Sequence, residues 1–154
     1  MDAMNLLRDL LAESGDKDNP GPEELRAILR ATRSIAVVGI SRNPAKAAHQ
    51  VPAYMAANGF EIIPVNPFVD SVLGKDAKAS LPEVTAPVDM VLLFRPSPEA
   101  SQVAEAALAR QEKPVIWLQE GIRADDVASR ARAEGIPVVQ DLCIYRVHRA
   151  LVSG

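Results

Sequence analysis

The sequence contains few of the residues that build disulfide frameworks or aromatic platforms. One cysteine is present among 154 residues, so no intramolecular disulfide can form. Aromatic residues make up only 4% of the chain, so a buried core must come from valine, isoleucine, leucine and alanine. That composition favours a parallel sheet covered by alanine-rich helices.

The sequence also shows no excess of positive charge, no long apolar run and no pattern of a targeting segment. The net charge of -3 gives no reason to expect sequence-independent binding to nucleic acid. No apolar run approaches the roughly 20 residues of a membrane helix. The acidic start MDAMNLLRDLL lacks the basic first residues and the small-residue cleavage site of a signal peptide. We therefore expect a cytoplasmic protein that enters no membrane.

What is present is an alternation of short apolar segments with amphipathic ones. A helix over 2–12 and a polar turn over 14–21 predict a short N-terminal helical extension, residues 1–21, ahead of one domain over 22–154. Strands are predicted at 34–38, 61–65, 89–94, 114–118 and 136–139, with a short edge strand near 76–79. Helices are predicted near 22–33, 47–58, 98–111 and 123–134, and after Cys143. This alternation predicts an α/β fold with a doubly wound parallel sheet of about five to six strands and helices on both faces.

The segment SIAVVGISRN, residues 34–43, carries the strongest local signal of function. An apolar strand runs into Gly39, and Ser41, Arg42 and Lys46 follow at once. Free N–H groups at the start of the next helix, together with the helix dipole, attract anions. The segment therefore predicts a site for the phosphates of a nucleotide-like ligand.

The same segment does not match the dinucleotide fingerprint. Glycines would be needed at positions 39, 41 and 44, but Ser41 and Pro44 occupy the last two. An NAD site also needs an acidic residue at the end of the second strand, where this chain has Asn66. The Walker pattern is absent as well. These departures count against NAD.

Four motifs, taken together and in order, point to a family. They are IAVVGIS at 35–41, PVNP at 64–67, VLLFRPS at 91–97 and WLQEGI at 117–122, with DLC at 141–143 as a partial fifth. Over residues 22–150 the chain resembles the small stand-alone CoA-binding proteins. Their domain is similar to the CoA-binding domain of the succinyl-CoA synthetase α subunit. The resemblance implies a Rossmann-like fold with coenzyme A lying across the carboxyl ends of the strands.

The resemblance also assigns roles to residues of this chain. Gly39, Ile40 and Ser41 would cradle the pyrophosphate, with charge supplied by Arg42 and Lys46. The remaining ligand contacts would come from three loops: Asn66 and Pro67 at the adenosine, Phe94, Arg95 and Pro96 at the pantetheine, and Gln119 and Gly121 on the far side.

Two positions depart from the family pattern. Phe68 stands where a basic residue often follows the VNP turn, and Lys75 is a candidate to replace that charge from the following loop. Leu142 stands where the DxC motif usually has arginine. For Arg95, an ion pair with Asp89 or Asp141 is an alternative to a ligand contact.

Cys143 is a candidate redox residue, because it follows the last strand at the end where a bound CoA places its thiol. A mixed disulfide with CoA would need an accessible thiolate. The alternative is a buried, inert cysteine.

Three functions remain open at this point. The first is a non-catalytic protein that binds CoA or acyl-CoA and senses, stores or delivers it, with an unknown protein partner. The second is an enzyme, either NAD-linked or transforming acyl-CoA with a separate partner subunit. The third is a regulatory interaction protein whose nucleotide site has decayed, which Phe68 and Leu142 favour. No cluster of histidine, cysteine and carboxylate residues has metal-ligand spacing, so no metal is expected.

Overall fold

A five-stranded parallel sheet organises residues 2–96 and 98–153, the part of the chain that this computed structural model describes. The seven strands are β1 (Ser34–Val38), β2 (Glu61–Val65), β3 (Ser71–Val72), β4 (Lys75–Asp76), β5 (Met90–Leu93), β6 (Val115–Leu118) and β7 (Val138–Val139). The large sheet has the order β2-β1-β5-β6-β7, and each of its neighbouring pairs is parallel. The predicted α/β sheet is confirmed.

Six helices cover the two faces of this sheet. They are α1 (Ala3–Glu13), α2 (Pro22–Ala31), α3 (Ala47–Ala57), α4 (Glu99–Leu108), α5 (Asp125–Ala133) and α6 (Ile144–Ser153). Buried residues of α4 and α5 pack on one face, and those of α1, α2, α3 and α6 pack on the other. The strands serve both layers: Ala36 of β1 lies in the first and Val37 in the second, each fully buried. Such strands read as continuous apolar runs because neither face meets water.

The short edge strand predicted near 76–79 is present in reduced form, as one isolated parallel bridge between Lys78 and Val65 of β2. Just before it, strands β3 and β4 form a separate antiparallel hairpin that the sequence pattern does not predict. The hairpin exists because Leu73 and Gly74 adopt positive φ angles of 54° and 73°, the geometry of a tight two-residue hairpin turn. Lys75 consequently lies in a short strand rather than in a loop.

The N-terminal extension packs onto the sheet and shields its last edge. Leu7 of α1 is fully buried in the core layer with α6. After α1, residues 14–19 run beside β7, and we call this segment the N-terminal clamp. Its Asp16 is buried and accepts hydrogen bonds from Arg132 and Gln140. Burial raises the pKa of Asp16, but the hydrogen bonds from Gln140, from the Asp18 N–H and from Arg132 outweigh it and hold the pKa below its ordinary value.

Within the described residues, no helix is long and apolar enough to cross a membrane. The division of the chain at residue 21 stays a prediction.

Candidate functional site

The site begins where the strand order reverses, between β1 and β5. The chain leaves β1 toward α3 on one face of the sheet and leaves β5 toward α4 on the other. Ligands of open α/β sheets bind in the crevice outside the carboxyl ends of the strands at such a point. Gly39 ends β1 there, and the Phe94 N–H donates to the Val38 carbonyl at 2.9 Å. The chain segments that follow β1 and β5 therefore lie side by side.

Gly39 allows the segments that follow β1 and β5 to approach each other closely. Its φ is +89°, and a Cβ added to it would lie 3.2 Å from the Phe94 carbonyl carbon and 3.3 Å from the Arg95 Cγ. Only glycine combines that backbone angle with so close an approach. The aliphatic stem of Arg95 therefore passes directly over the backbone of the loop that follows β1. Among the described residues Arg95 forms no ion pair, so the suggested pairs with Asp89 and Asp141 are not formed.

The loop after β1 is folded tightly by its own polar groups. The Ser41 N–H donates to the Ala48 carbonyl at 3.0 Å, and the Ser41 Oγ accepts from the Asn43 N–H at 3.0 Å. His49 Nδ1 lies 2.7 Å from the Ser41 carbonyl oxygen, so this nitrogen carries the proton. These bonds fix the loop before any ligand arrives.

The same loop leaves an anion-attracting helix end open. The N-cap of α3 is Lys46, which makes no side-chain cap hydrogen bond, and the His49 N–H donates to the Lys46 carbonyl at 3.0 Å. The Ala47 and Ala48 N–H groups are the ones left uncapped among the described contacts. The side chains of Arg42 and Lys46 are both exposed beside this end. Ile40, predicted to line the cradle, is fully buried, and its carbonyl already accepts a hydrogen bond from the Asn66 Nδ2, so it presents no surface to a ligand in this structure.

Asn66 joins the loops that follow β1 and β2. Its Nδ2 donates to the Ile40 carbonyl at 2.7 Å, and its Oδ1 accepts from the Phe68 N–H at 2.8 Å. An aspartate could not donate to that carbonyl, which gives a structural reason for asparagine at the position where NAD sites carry an acid. The side chain of Asn66 therefore sets the shape of the edge and keeps one N–H and one oxygen lone pair for a ligand.

A cavity of about 390 Å³ opens beside this junction, between the ends of β1 and β2 and helix α4. Pro67, Phe68 and Arg95 form part of its lining. Phe68 is 82% exposed, which is rare for so large an apolar side chain. The volume lies within the usual range for small-molecule sites, toward its lower end.

The far side of the edge is built around Gln119. This residue is buried; its Oε1 accepts from the Ile144 N–H at 2.8 Å, and its Nε2 lies 3.4 Å from the Cys143 Sγ. Cys143 itself is half-buried. Leu142 points into the core, and its carbonyl accepts from the Trp117 Nε1–H at 2.7 Å. The side chain at position 142 is thus a packing group.

Most of the predicted site residues therefore lie on one edge of the sheet. Gly39–Lys46, Asn66, Pro67, Phe94–Pro96, Gln119, Gly121 and Cys143 all follow carboxyl ends of parallel strands. Lys75 lies in the β3–β4 hairpin, and its described backbone pairing is with Val72. Ser97, the last residue of the VLLFRPS motif, is outside the described residues. The pattern of the sequence did not reveal Asp141, whose carboxylate accepts from the Gly121 N–H at 2.6 Å.

A family described as CoA binding domain matches residues 33–149. The chain belongs to the CoA-binding domain family. A Bacillus subtilis (strain 168) protein named uncharacterized protein YneT is 40% identical over 130 residues, which are 84% of this chain and 96% of that protein.

Two solved structures are similar to this CoA-binding domain protein in fold as well as in sequence. The Thermus thermophilus protein described as cell-free ID.343 is 37% identical, with a TM-score of 0.79 over 86% of this chain and 99% of its own. A hypothetical protein from Pyrococcus horikoshii OT3 is 28% identical, with a TM-score of 0.82 over 91% of this chain and 98% of its own.

Proposed function

We propose that this cytoplasmic protein binds coenzyme A or an acyl-CoA at the carboxyl edge of its sheet, without catalysing a reaction on it. The observation that carries the proposal is the close meeting of Gly39 with Phe94 and Arg95 at the switch point, beside an uncapped helix end. Membership of the CoA-binding domain family supports CoA over other nucleotides.

We assign each part of the ligand a place along this edge. The phosphates meet the uncapped start of α3, with Arg42 and Lys46 supplying positive charge. The adenosine enters the cavity bounded by Pro67 and Phe68, whose exposed ring offers a stacking surface for the base. The pantetheine arm then crosses the exit of β5 toward the far side of the edge, where Gln119 lies.

The charge of the phosphate loop gives the direct test. Replacing Arg42 and Lys46 together with glutamine is expected to weaken CoA binding by at least about tenfold, because each cation forms a charge-assisted contact with a phosphate. Isothermal titration calorimetry measures the loss of CoA affinity. Added salt should reduce the difference in CoA affinity between the variant and the wild type, because it screens the charges.

A matched variant removes the same charge elsewhere. Arg30 and Arg33 are exposed near the start of β1, at the amino edge of the sheet, so their double glutamine variant should bind CoA like the wild type. Wild-type protein with CoA at about 100 times its dissociation constant should gain about 2.7 kcal/mol of stability. If CoA and acetyl-CoA give neither heat nor thermal shift at millimolar concentration, the proposal is wrong. Binding of NAD or ATP in their place would favour the enzyme interpretation.

The thiol at the far side gives a second prediction. We expect the Cys143 thiolate to attack one sulfur of CoA disulfide, forming a protein–CoA mixed disulfide and releasing one CoA as thiolate. Mass spectrometry should find the adduct in wild type and not in the Cys143→Ser variant. Hydroxyethyl disulfide, which has no nucleotide to guide it, should react more slowly. Absence of the adduct under mild oxidation would leave Cys143 as an inert, half-buried thiol.

A further inference from the structure

Asp141 joins two parts of the chain that are far apart in sequence. Its Oδ1 accepts from the Gly121 N–H at 2.6 Å, and its Oδ2 accepts from the Gly15 N–H at 2.7 Å. Gly121 belongs to the loop after β6, and Gly15 belongs to the N-terminal clamp. Asp141 also has a φ of +52°, which non-glycine residues seldom adopt. The two hydrogen bonds hold the residue in this conformation.

The residue before it is held by the same two segments. The Gln140 carbonyl accepts from the Ser14 Oγ at 3.1 Å and from the Asn19 Nδ2 at 2.9 Å. On the other side, the Gln140 Oε1 accepts from the Ala124 N–H at 2.6 Å. Gln140 is 1% exposed, so these bonds form away from water, where losing one is costly. The chain entering Asp141 therefore has a single position, set by the clamp and by the loop after β6.

We propose that Asp141 is a positioning residue for the pantetheine end of the ligand, and that the N-terminal clamp is required to hold it. This inference rests on the proposed CoA site. If Asp141 loses either partner, its left-handed conformation is held by fewer bonds, because only the other partner and the Asp141 N–H bond to the Ile122 carbonyl at 3.2 Å remain. The loop at Gly121 can then shift, and with it Cys143, which lies two residues after Asp141 along the chain. The extension is thereby part of the site, although none of its described hydrogen bonds reaches the loop after β1.

The effect is confined to one end of the site. Asp141 follows β7, whereas Pro67 follows β2, and these two strands are the opposite edges of the sheet. The nucleotide half of the ligand, at the β2 side, should not sense Asp141. Adenosine 3′,5′-bisphosphate, the part of CoA that remains when phosphopantetheine is removed, therefore separates a positioning role from general loss of structure.

The first test perturbs the clamp without touching Asp141. A methyl group on Gly15 would lie 3.2 Å from the Asp141 Oδ2 and 3.0 Å from the Arg123 Nη1, whereas one on Gly21 would meet nothing within 4 Å. Calorimetry should show Gly15→Ala weakening CoA binding roughly tenfold, the loss expected for one charge-assisted hydrogen bond. Binding of adenosine bisphosphate should be unchanged, and Gly21→Ala should match wild type with both ligands.

The second test changes the carboxylate itself. Asp141→Asn keeps the shape but turns one acceptor into a donor that faces an N–H group, so the same selective loss of CoA affinity is expected. Asp18→Asn is the matched control, because it makes the same charge change in the clamp at a side chain that has no hydrogen bond among the described contacts. It should bind both ligands as the wild type does.

The outcomes distinguish a failure of the positioning role of Asp141 from a failure of the CoA site. If wild type binds CoA and Gly15→Ala and Asp141→Asn bind it equally well, the positioning role is refuted and the CoA site stands. Equal losses for CoA and adenosine bisphosphate also refute it, because they indicate general damage. If wild type binds neither ligand, the proposed function and this inference fail together. Should Asp141→Asn not fold, Gly15→Ala decides alone.

Discussion

Replacing Gly39 with alanine is expected to remove detectable CoA binding from a protein that still folds. The backbone at Gly39 has a φ of +89°, and holding alanine there costs about 1–3 kcal/mol. The new Cβ would also lie 3.2 Å from the Phe94 carbonyl carbon, so either the exit of β5 or the phosphate loop must move. Both belong to the proposed site, and the Asn66–Ile40 bond would pass the movement on to the loop after β2.

Gly59 provides the matched control for this variant. Its φ is +94°, but a Cβ added there would meet nothing within 4 Å. Gly59→Ala therefore carries the same backbone strain without the contact. Urea unfolding should show both variants destabilised, and calorimetry should show CoA binding lost only in Gly39→Ala. Equal CoA affinity in the two variants would contradict the role assigned to the close approach at Gly39.

The parts of the fold that are local in sequence could be predicted from it. The run IAVV before Gly39 is apolar on both faces, which is typical of a strand buried between two helical layers. The polar residues after each such run then marked the carboxyl edge, because parallel strands end together. Only the β3–β4 hairpin was missed, where Leu73 adopts a positive φ that its residue type does not indicate.

The parts of the site that depend on distant partners could not be predicted. Asn66 was interpreted through its place in a motif, but its amide is used by the Ile40 carbonyl, 26 residues away. The Asp141 bond to Gly15 spans 126 residues. Such contacts have no periodic signature, and they appear only once helices and strands have been packed. Leu142 shows the same limit, because neither its burial in the core nor the hydrogen bond from the Trp117 Nε1–H to its carbonyl is indicated by the DLC motif.

Trp117 should give the largest loss of stability of any substitution in the sheet. It is fully buried in the layer with α6, and its Nε1–H donates to the Leu142 carbonyl at 2.7 Å. Trp117→Ala leaves a large cavity and is expected to cost about 3–5 kcal/mol. At roughly 2–4 °C per kcal/mol, the melting temperature should fall by about 6–20 °C. Circular dichroism is the measurement of choice, because Trp117 is the only tryptophan and the variants lack its fluorescence.

Two further variants divide this loss into its causes. Trp117→Phe keeps most of the apolar contact but leaves the buried Leu142 carbonyl without its donor, so about 1–3 kcal/mol of the loss should remain. Val152→Ala, at a side chain 62% exposed, should change stability little. Because Leu142 immediately precedes Cys143, Trp117→Phe should also lower CoA affinity more than affinity for adenosine bisphosphate. If Trp117→Phe is as stable as wild type, the hydrogen bond to Leu142 contributes nothing, and packing alone fixes the end of the sheet on which Cys143 lies.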